Sequence, residues 1–272
     1  MAGTTDCMQR WVGHVALVTG ASTGIGQGIA RSLVKHGMKV IGCARNIKAI
    51  QDDMQMLSSD SSISGSLHAI KCDLTKEDEI LAMFAEIKEK FGGVDVCINN
   101  AGLNHARSIG AGSMGILNGE TDKWRNMLEL NVLAPAVCTR EAVKQMEEKG
   151  TKDGQIIMIG SLSGHRITQL KEIHFYCVTK YGITAMIEGI RIELREKNSR
   201  IRVAAISPGI VETEFRQRMY PDEDPEKANK LYRTMEEPLQ VDDIAEAVLY
   251  ILQTPPHVQV HDIMLRPTAQ KT

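Results

Sequence analysis

The 272-residue sequence predicts an α/β fold, a doubly wound parallel sheet of about seven strands with helices on both faces. Short apolar runs of strand length alternate with amphipathic helical patterns along nearly the whole chain, which is typical of β-α-β units. No linker or change of composition divides the sequence. We therefore expect one domain, residues 1–272.

The apolar runs and helical periodicity place the elements in order along the chain. Strands are predicted at 14–20, 39–44, 67–72, 94–100, 155–161, 201–209 and near 262–265. Helices are predicted at 25–36, 76–92, about 121–148, 175–196 and about 241–252, and helical or polar sequence also leads up to about Ser59. Gly37 and Gly92 stand where a glycine ends a helix. The crossovers between parallel strands should be right-handed.

The composition excludes several classes of function. Hydrophobic residues make up 43% and charged residues 24%, with a net charge of −2, so neither nucleic acid nor a membrane surface is indicated as a partner. The apolar runs are too short to span a bilayer, and MAGTTDCMQRW has no signal-peptide core, so we expect a cytoplasmic protein. The six cysteines form no C-x-x-C pair and are expected to be reduced and mostly buried. No metal site is predicted, because His165, Arg166 and His174 have no supporting cluster of acids or cysteines.

The segment TGASTGIG (19–26) follows the first predicted strand and opens the first helix. Gly20 allows a sharp turn, Gly24 lets a phosphate approach the backbone, and Gly26 lets the helix pack on the strand. The pattern predicts a dinucleotide site in a Rossmann fold, with the pyrophosphate at the helix N-terminus; the alternative is a glycine-rich turn without a ligand. GAGSMG (110–115) matches the same glycine spacing, but it follows no strand, so we predict a flexible loop there.

The end of the second predicted strand indicates which dinucleotide binds. An acidic residue at that point would accept hydrogen bonds from both ribose hydroxyls of NAD(H), but this chain has Ala44 and Arg45. A guanidinium suits a 2′-phosphate, which favours NADP(H). Asp73, at the end of the third strand, is placed to reach the adenine. The alternatives are that Arg45 is a solvated loop residue and that Asp73 only caps a turn or a helix.

Tyr176 and Lys180 lie four residues apart in HFYCVTKYG, so both side chains share one face of a predicted helix. An ammonium near a phenol favours the phenolate, so we expect Lys180 to lower the pKa of Tyr176. Moving a tyrosine pKa from ~10 into the neutral range takes about 4 kcal/mol of differential stabilisation. The pair is interpreted as an acid/base couple, although the same spacing also arises by chance on an ordinary helix face.

Taken together, these motifs resemble the short-chain dehydrogenase/reductase family over nearly the whole chain. TGASTGIG is similar to the family's cofactor turn, CDL with Asp73 to its adenine-contacting position, and NNAG (99–102) to its hallmark after the fourth strand. SPGIVET (207–213) matches its P-G segment, which implies that Thr213 holds the nicotinamide carboxamide. The resemblance implies a cofactor site made of Gly20, Ser22, Thr23, Gly24, Ile25, Gly26, Arg45, Asp73, Leu74, Asn100, Ala101, Gly102, Tyr176, Lys180, Pro208, Gly209, Val211 and Thr213.

The family's catalytic tetrad is matched by Asn131 in ELNVLAP, Ser161 in GSLSG, Tyr176 and Lys180. The resemblance implies that Tyr176 exchanges a proton with the substrate oxygen while Lys180 holds the nicotinamide ribose. Ser161 would hydrogen-bond the substrate oxygen, and Asn131 would bind a water that links Lys180 to solvent. The alternatives are that Asn131 only kinks a helix and Ser161 only forms a turn. Ser161 precedes Tyr176 by 15 residues, longer than the family's usual spacing, and Ser163 lies at the usual distance.

SGHRI, HFY-x-x-TKY, EGIRIELRE, DPEKA and DIMLRPT are similar to one branch of the family, whose enzymes are NADP-linked. That branch acts on lipophilic alcohols and carbonyls, either steroids or isoprenoid alcohols such as farnesol. The family commonly forms homodimers or homotetramers through its long helices. A 3-oxoacyl-type or general carbonyl reductase is an alternative, disfavoured by the acidic stretch at 222–224, and a non-catalytic NADP(H)-binding sensor is another, disfavoured by the intact tetrad.

Two segments are expected to border the substrate. Residues 103–120 are rich in glycine and longer than the branch usually carries, so the substrate preference of the branch does not transfer directly. Residues 212–238 mix apolar and charged side chains in the pattern of amphipathic helices, which predicts a substrate lid with its apolar side inward. The alternative for this segment is an ordinary helical excursion on the surface.

Overall fold

The computed structural model describes residues 8–106, 115–220, 232 and 237–270. Within them the strands are β1 (Val15–Thr19), β2 (Lys39–Ala44), β3 (Ser66–Lys71), β4 (Val96–Asn99), β5 (Gln155–Ile159), β6 (Arg202–Pro208) and β7 (Asp262–Leu265). The α-helices are α1 (Gly24–Lys35), α2 (Lys48–Ser58), α3 (Glu77–Phe91), α4 (Thr121–Leu128), α5 (Ala134–Lys149), α6 (His174–Glu196), α7 (Phe215–Met219) and α8 (Val241–Gln253).

The strands form one parallel sheet in the order β3-β2-β1-β4-β5-β6-β7. The predicted doubly wound sheet of about seven strands is therefore confirmed. The order reverses beside β1, which pairs with β2 on one side and with β4 on the other. Chain segments that leave the carboxyl ends of β1 and β4 go to opposite faces of the sheet, and a crevice opens between them.

Each face of the sheet has its own hydrophobic core, because side chains alternate along every strand. On β1, Ala16 and Val18 pack with α1, α2 and α8 on one face. Val15 and Leu17 point the other way and pack with α3, α5 and α6. Burial on both faces explains why the strands read as continuous apolar runs and not as alternating ones.

The predicted helix at about 121–148 is confirmed, but it contains a π-helical turn that the sequence pattern did not indicate. The chain forms α4, then a π-helical turn at Glu129–Leu133, then α5. The N–H of Ala134 donates to the carbonyl of Glu129, a bond that spans five residues. Pro135 has no N–H to donate to the carbonyl of Asn131, so an uninterrupted α-helix cannot form here. The wider turn sits at Asn131, one of the residues predicted to be catalytic.

The cysteines and the length of the helices were also the subject of predictions. Cys43, Cys72, Cys97, Cys138 and Cys177 are free and buried, while Cys7 lies outside the described residues. In the described part of the chain, the structure contains no helix that is both long enough and apolar enough to cross a membrane.

Candidate active site

The candidate cofactor crevice lies between the carboxyl ends of β1 and β4. The side-chain amide of Asn100 donates to the carbonyls of Thr19 and Gly20, at 2.9 and 3.3 Å. The hydroxyl of Thr19 accepts the backbone N–H groups of Asn100 and Ala101, both at 3.0 Å. These bonds lock the two strand ends side by side at the position where open α/β sheets bind ligands.

The glycine turn has the backbone geometry that its sequence predicts. Gly20 and Gly24 have φ values of +67° and +58°, in the left-handed region that favours glycine. A Cβ on Gly26 would lie 2.4 Å from both the Asn100 amide nitrogen and the Gly20 carbonyl oxygen, so only glycine lets α1 pack against the turn. The first turn of α1 contains no acidic residue, so its N–H groups remain suited to an anion.

The remaining residues of the turn support its shape. Thr23 is the N-cap of α1, but its side chain does not cap the helix. Its hydroxyl instead accepts from the guanidinium of Arg218 at 2.7 Å, which ties the turn to α7. Ile25 packs against the core beneath α1, and Ser22 is half-buried.

The predicted ribose and adenine end contains Arg45 and Asp73. Arg45 is exposed just after β2. Asp73 follows β3 and accepts from the N–H and hydroxyl of Thr75, at 3.1 and 2.8 Å. Burial alone would raise the pKa of Asp73, but these hydrogen bonds and the charge of Arg45 hold it below its usual value. The carboxylate of Asp73 therefore shapes a turn through one oxygen, and Leu74 beside it is buried.

Tyr176 and Lys180 occupy one face of α6, as their spacing predicts. Lys180 is 5% exposed, and its Nζ donates to the carbonyl of Ile159 at 2.8 Å. The same Nζ lies 5.6 Å from the centre of the Tyr176 ring. Gly102 completes this corner, because a Cβ built on it would be 3.8 Å from the Lys180 ammonium.

The pKa values of this pair differ from the expectation. Burial raises the pKa of Tyr176 well above its usual value, and a side-chain hydrogen bond with Ser161 only partly opposes the rise. Burial also lowers the pKa of Lys180 to about 8. The expected lowering of the Tyr176 pKa is therefore absent in the protein alone, because desolvation of the phenolate is the largest contribution.

The two candidate serines have different surroundings. The Ser161 hydroxyl interacts with the phenol of Tyr176. It also accepts the backbone N–H of Ser163 at 3.1 Å and so caps a 3-10 turn at Leu162–Gly164. Ser163 lies within that turn and contributes this N–H. The geometry brings Ser161, and not Ser163, to the predicted acid/base pair.

Asn131 projects from the π-helical turn into the same site and is 2% exposed. Its side chain accepts from the N–H of Leu103 and donates to the carbonyl of Leu103, both at 2.8 Å. It also donates to the hydroxyl of Thr179 at 3.1 Å, and that hydroxyl donates to the carbonyl of Tyr176 at 2.8 Å. The side chain of Asn131 therefore fastens the segment after β4 to α6. Pro135 has no N–H to donate to the backbone carbonyl of Asn131, so this carbonyl is suited to accept a hydrogen bond from a water.

The segment after β6 closes the crevice from the other side. Pro208 ends β6, and the N–H of Gly209 donates to the carbonyl of Leu265 at 2.6 Å. Val211 pairs with Leu239 in an isolated bridge. The side chain of Thr213 lies so near the glycine turn that a Cβ on Gly24 would be 3.2 Å from it. The structure therefore brings Thr213 next to the predicted pyrophosphate turn.

An apolar cluster stands over the predicted acid/base. The ring of Phe215 is tilted against that of Tyr176, with centroids 6.0 Å apart. Met219 and Tyr220 pack with Ala106, whose N–H donates to the carbonyl of Met219 at 3.0 Å. This cluster gives the crevice an apolar wall.

Parts of the two predicted substrate segments lie outside the described residues. These parts are residues 107–114, which include most of the second glycine motif, and residues 221–231 and 233–236 of the predicted lid, which include the acidic stretch at 222–224. Helix α7 is the described start of the lid segment.

Sequence reasoning missed three residues that organise the site. Thr19 joins the ends of β1 and β4, Leu103 offers its backbone to Asn131, and Thr179 links Asn131 to α6. Thr19 and Thr179 adjoin recognised motifs, but their hydrogen bonds reach residues 81 and 48 positions away. Local patterns do not reveal contacts of that range.

Comparison with known proteins agrees with this fold. The short chain dehydrogenase family matches residues 14–224. Dehydrogenase/reductase SDR family member 11 of Gallus gallus is 49% identical over 263 residues, covering 97% of this chain and 99% of that protein. Farnesol dehydrogenase of Aedes aegypti is 39% identical over 264 residues, covering 97% and 100%. The closed form of serine dehydrogenase complexed with NADP+ superposes with a TM-score of 0.80 at 28% identity, covering 95% and 96%.

The fold and the site thus define an oxidoreductase built on a single Rossmann domain. The chain belongs to the short-chain dehydrogenase/reductase family. The family resemblance read from its motifs is confirmed, and so is the similarity to the branch that contains family member 11 and an insect farnesol dehydrogenase.

Proposed function

We propose that this protein is an NADP(H)-dependent oxidoreductase that interconverts a lipophilic alcohol with its ketone or aldehyde. The observation that carries the proposal is the convergence of Ser161, Tyr176 and Lys180 beside the crevice where the strand order reverses. An acid/base pair at that edge suits a substrate oxygen next to a dinucleotide.

The residues of the crevice fit a dinucleotide phosphate. Gly20 and Gly24 have positive φ values, which residues with a side chain rarely adopt. The first turn of α1 offers N–H groups to an anion and contains no acidic residue that would compete for them. The exposed guanidinium of Arg45 suits a 2′-phosphate, and no carboxylate stands at the end of β2 to repel one. The serine dehydrogenase that shares this fold is described as a complex with NADP+, which supports the same preference here.

The proposed mechanism assigns the proton to the protein. When bound, NADP(H) supplies or accepts the hydride. Tyr176, whose pKa is raised by burial, holds its proton at neutral pH and donates it to a carbonyl oxygen. Ser161 hydrogen-bonds that oxygen and polarises it. Lys180, with a pKa of about 8, is mostly an ammonium at neutral pH and restores the proton of Tyr176.

The route from Lys180 to solvent passes Asn131 in this proposal. A water held by the carbonyl of Asn131 would receive or supply the proton of Lys180. The side-chain amide keeps this carbonyl in place through its bonds to Leu103 and Thr179. In the direction of alcohol oxidation the same groups act in reverse, so the phenol of Tyr176 must lose its proton before it accepts one from the substrate.

The apolar wall of the crevice supports a lipophilic substrate. Phe215 faces Tyr176, and Met219 and Tyr220 continue the apolar surface along the start of the lid at 212–238. The similar proteins include an enzyme named for farnesol, so a steroid or isoprenoid alcohol is the proposed substrate class.

We further propose a cytoplasmic homodimer or homotetramer. Helices α4 and α6 and the turn between α4 and α5 carry exposed apolar side chains that a second subunit would cover, namely Leu128, Leu133, Val178, Tyr181 and Ile192.

The proposal is tested by assaying the purified protein with NADPH and NADH against farnesal, steroid ketones, small carbonyls and 3-oxoacyl thioesters, and with NADP⁺ and NAD⁺ against the alcohols. The expected result is turnover of a lipophilic substrate that is faster with the phosphorylated cofactor. Faster turnover of acyl thioesters would indicate the 3-oxoacyl-type alternative. Binding of NADPH without turnover of any substrate would indicate a sensor.

A further inference from the structure

Three polar side chains meet beside the loop of Ser161. The Nε2 atom of His165 lies 3.0 Å from the hydroxyl oxygen of Ser207 and 2.9 Å from a carboxylate oxygen of Asp262. The hydroxyl of Ser207 donates to the same carboxylate oxygen at 3.1 Å. None of the three is a member of the predicted catalytic tetrad.

The hydrogen atoms of this cluster can be assigned from its geometry. The one hydrogen of the Ser207 hydroxyl points to Asp262, so that hydroxyl accepts at its contact with His165. Nε2 of His165 therefore carries a hydrogen and donates it to the Ser207 hydroxyl, with the carboxylate of Asp262 2.9 Å away. This hydrogen is present in one neutral tautomer and in the imidazolium, so the contact survives either protonation state.

The cluster is not a nucleophilic triad. In a triad the serine donates to the histidine and the carboxylate binds the opposite ring nitrogen. Here the carboxylate of Asp262 and the hydroxyl of Ser207 meet the same nitrogen of His165, and Ser207 is 1% exposed. The arrangement joins three segments and activates none of them.

The three segments are separate in sequence, and one of them carries Ser161. The hydroxyl of Ser161 caps the turn Leu162–Gly164, and the N–H of His165 donates to the carbonyl of Leu162 at 3.0 Å. Ser207 belongs to β6 and Asp262 opens β7. His165 therefore fastens the far end of the Ser161 loop to the last two strands of the sheet.

We propose that His165 is a positioning residue for Ser161, and this inference rests on the proposed function. The near end of the loop is fixed by the sheet, because the N–H of Gly160 donates to the carbonyl of Ile206 at 2.8 Å. The far end is held at His165 by Ser207 and Asp262. Fixing both ends sets the distance from the Ser161 hydroxyl to the substrate oxygen, and a displacement of about 1 Å at such a group costs roughly 10²-fold in rate.

The test compares His165→Leu with His165→Gln. Leucine fills the space without a donor, whereas the side-chain amide of glutamine can place an N–H near the position of Nε2. His257→Leu is the matched control, because it removes an exposed imidazole outside the cluster. Four quantities are measured: amide hydrogen exchange of residues 160–166 in the protein alone, kcat, KM and the Kd of NADPH.

For His165→Leu we expect exchange in 160–166 to rise about tenfold and kcat to fall about 10- to 100-fold, with KM and the Kd of NADPH little changed. His165→Gln should recover most of both losses, and His257→Leu should behave as the wild type. Unchanged exchange and kcat in His165→Leu would overturn the inference, and so would a glutamine variant as impaired as the leucine variant.

If His165→Leu does not fold, Ser207→Ala replaces it, since it removes only one hydroxyl from the cluster. It should raise exchange in 160–166 and lower kcat by smaller factors, and wild-type values for both would overturn the inference. The exchange measurement needs no substrate. If no substrate is turned over, the proposed function fails while the role of His165 in fixing the loop is still decided.

Discussion

The ammonium of Lys180 donates a hydrogen bond to the carbonyl of Ile159, at 2.8 Å, and not to the phenol of Tyr176. The lysine is thereby held at the end of β5, with its Nζ 5.6 Å from the centre of the tyrosine ring. Lys180 is buried and Tyr176 is partly buried, and this loss of hydration raises the pKa of the phenol and lowers that of the ammonium.

Replacement of Lys180 should change how stability depends on pH. The pKa of Lys180 falls from 10.5 to about 8 on folding, so between these values the unfolded chain binds more protons and stability rises with pH. At pH 7 the buried charge of Lys180 lowers the free energy of unfolding by about 3 kcal/mol. The hydrogen bond from Lys180 to the carbonyl of Ile159 offsets about 1–2 kcal/mol of this loss. Lys180→Met should therefore be more stable than the wild type at pH 7 and less stable at pH 10. Urea unfolding at both pH values tests this, and a difference that does not vary with pH would contradict it.

Replacement of the phenol should separate catalysis from cofactor binding. Tyr176→Phe retains the ring that packs against Phe215 and removes the hydroxyl that we propose exchanges a proton with the substrate. We expect turnover to fall by about 10²–10⁴-fold while NADPH still binds with wild-type affinity. Steady-state rates and quenching of NADPH fluorescence measure the two effects. Near-normal turnover in this variant would sink the proposed mechanism.

The sequence was sufficient for the order of strands and helices because each segment carries its own apolar period. It was also sufficient for Gly20, Gly24 and Gly26, whose spacing has a backbone meaning. It did not indicate the π-helical turn at Asn131, where Pro135 interrupts the α-helical hydrogen bonds. It failed at the pKa of Tyr176. A pattern four residues long reports which groups are neighbours, but the desolvation that decides the pKa comes from segments distant in the sequence, such as the Ser161 loop and Phe215.

Reversing the charge at Arg45 should change the cofactor preference. The guanidinium is exposed after β2 and available for a 2′-phosphate, and a charge-assisted hydrogen bond of this kind contributes about 1.5–3 kcal/mol. Arg45→Glu should lower kcat/KM for NADPH by about 10- to 100-fold and raise it for NADH. Arg195→Glu makes the same charge change at an exposed site near the end of α6 and should leave the ratio unaltered. An unchanged ratio in Arg45→Glu would remove the basis for NADP(H) preference.

Two glycine substitutions on helices should have opposite effects. In Gly26→Ala the new methyl would lie 2.4 Å from the Gly20 carbonyl oxygen and the Asn100 amide, so α1 must shift away from the turn. We expect a loss of about 1–3 kcal/mol and weaker NADPH binding. Gly189→Ala adds a methyl within α6 that meets no atom within 4 Å and should stabilise the protein by about 0.5–1 kcal/mol. Thermal melts with and without NADPH measure both effects. Equal stability of the two variants would show that the turn is not as tightly packed as the structure describes.

Asp95 should control stability at low pH, because it joins the start of β1 to the carboxyl end of α5 at the edge of the sheet opposite the crevice. It is 2% exposed, and its carboxylate accepts from the N–H of Val15 at 2.9 Å, Lys149 at 2.7 Å and Thr151 at 3.1 Å. Burial alone would raise its pKa, but the hydrogen bonds outweigh burial and hold the pKa well below 3.8. The folded state therefore binds this proton less readily than the unfolded chain. The resulting stability is present above pH 3.8 and is lost as the pH falls through the lower value.

Asp95→Asn keeps the shape of the side chain and removes its charge. We expect the variant to lose about 3 kcal/mol at pH 7 and to depend less on pH than the wild type during acid unfolding. Asp122→Asn is the control, because Asp122 is 94% exposed and its ion pair with Arg125 should contribute at most about 1 kcal/mol. Urea unfolding at pH 7 and in the acid range measures the difference. Parallel curves for Asp95→Asn and the wild type at every pH would mean that the buried carboxylate does not set the acid stability of this fold.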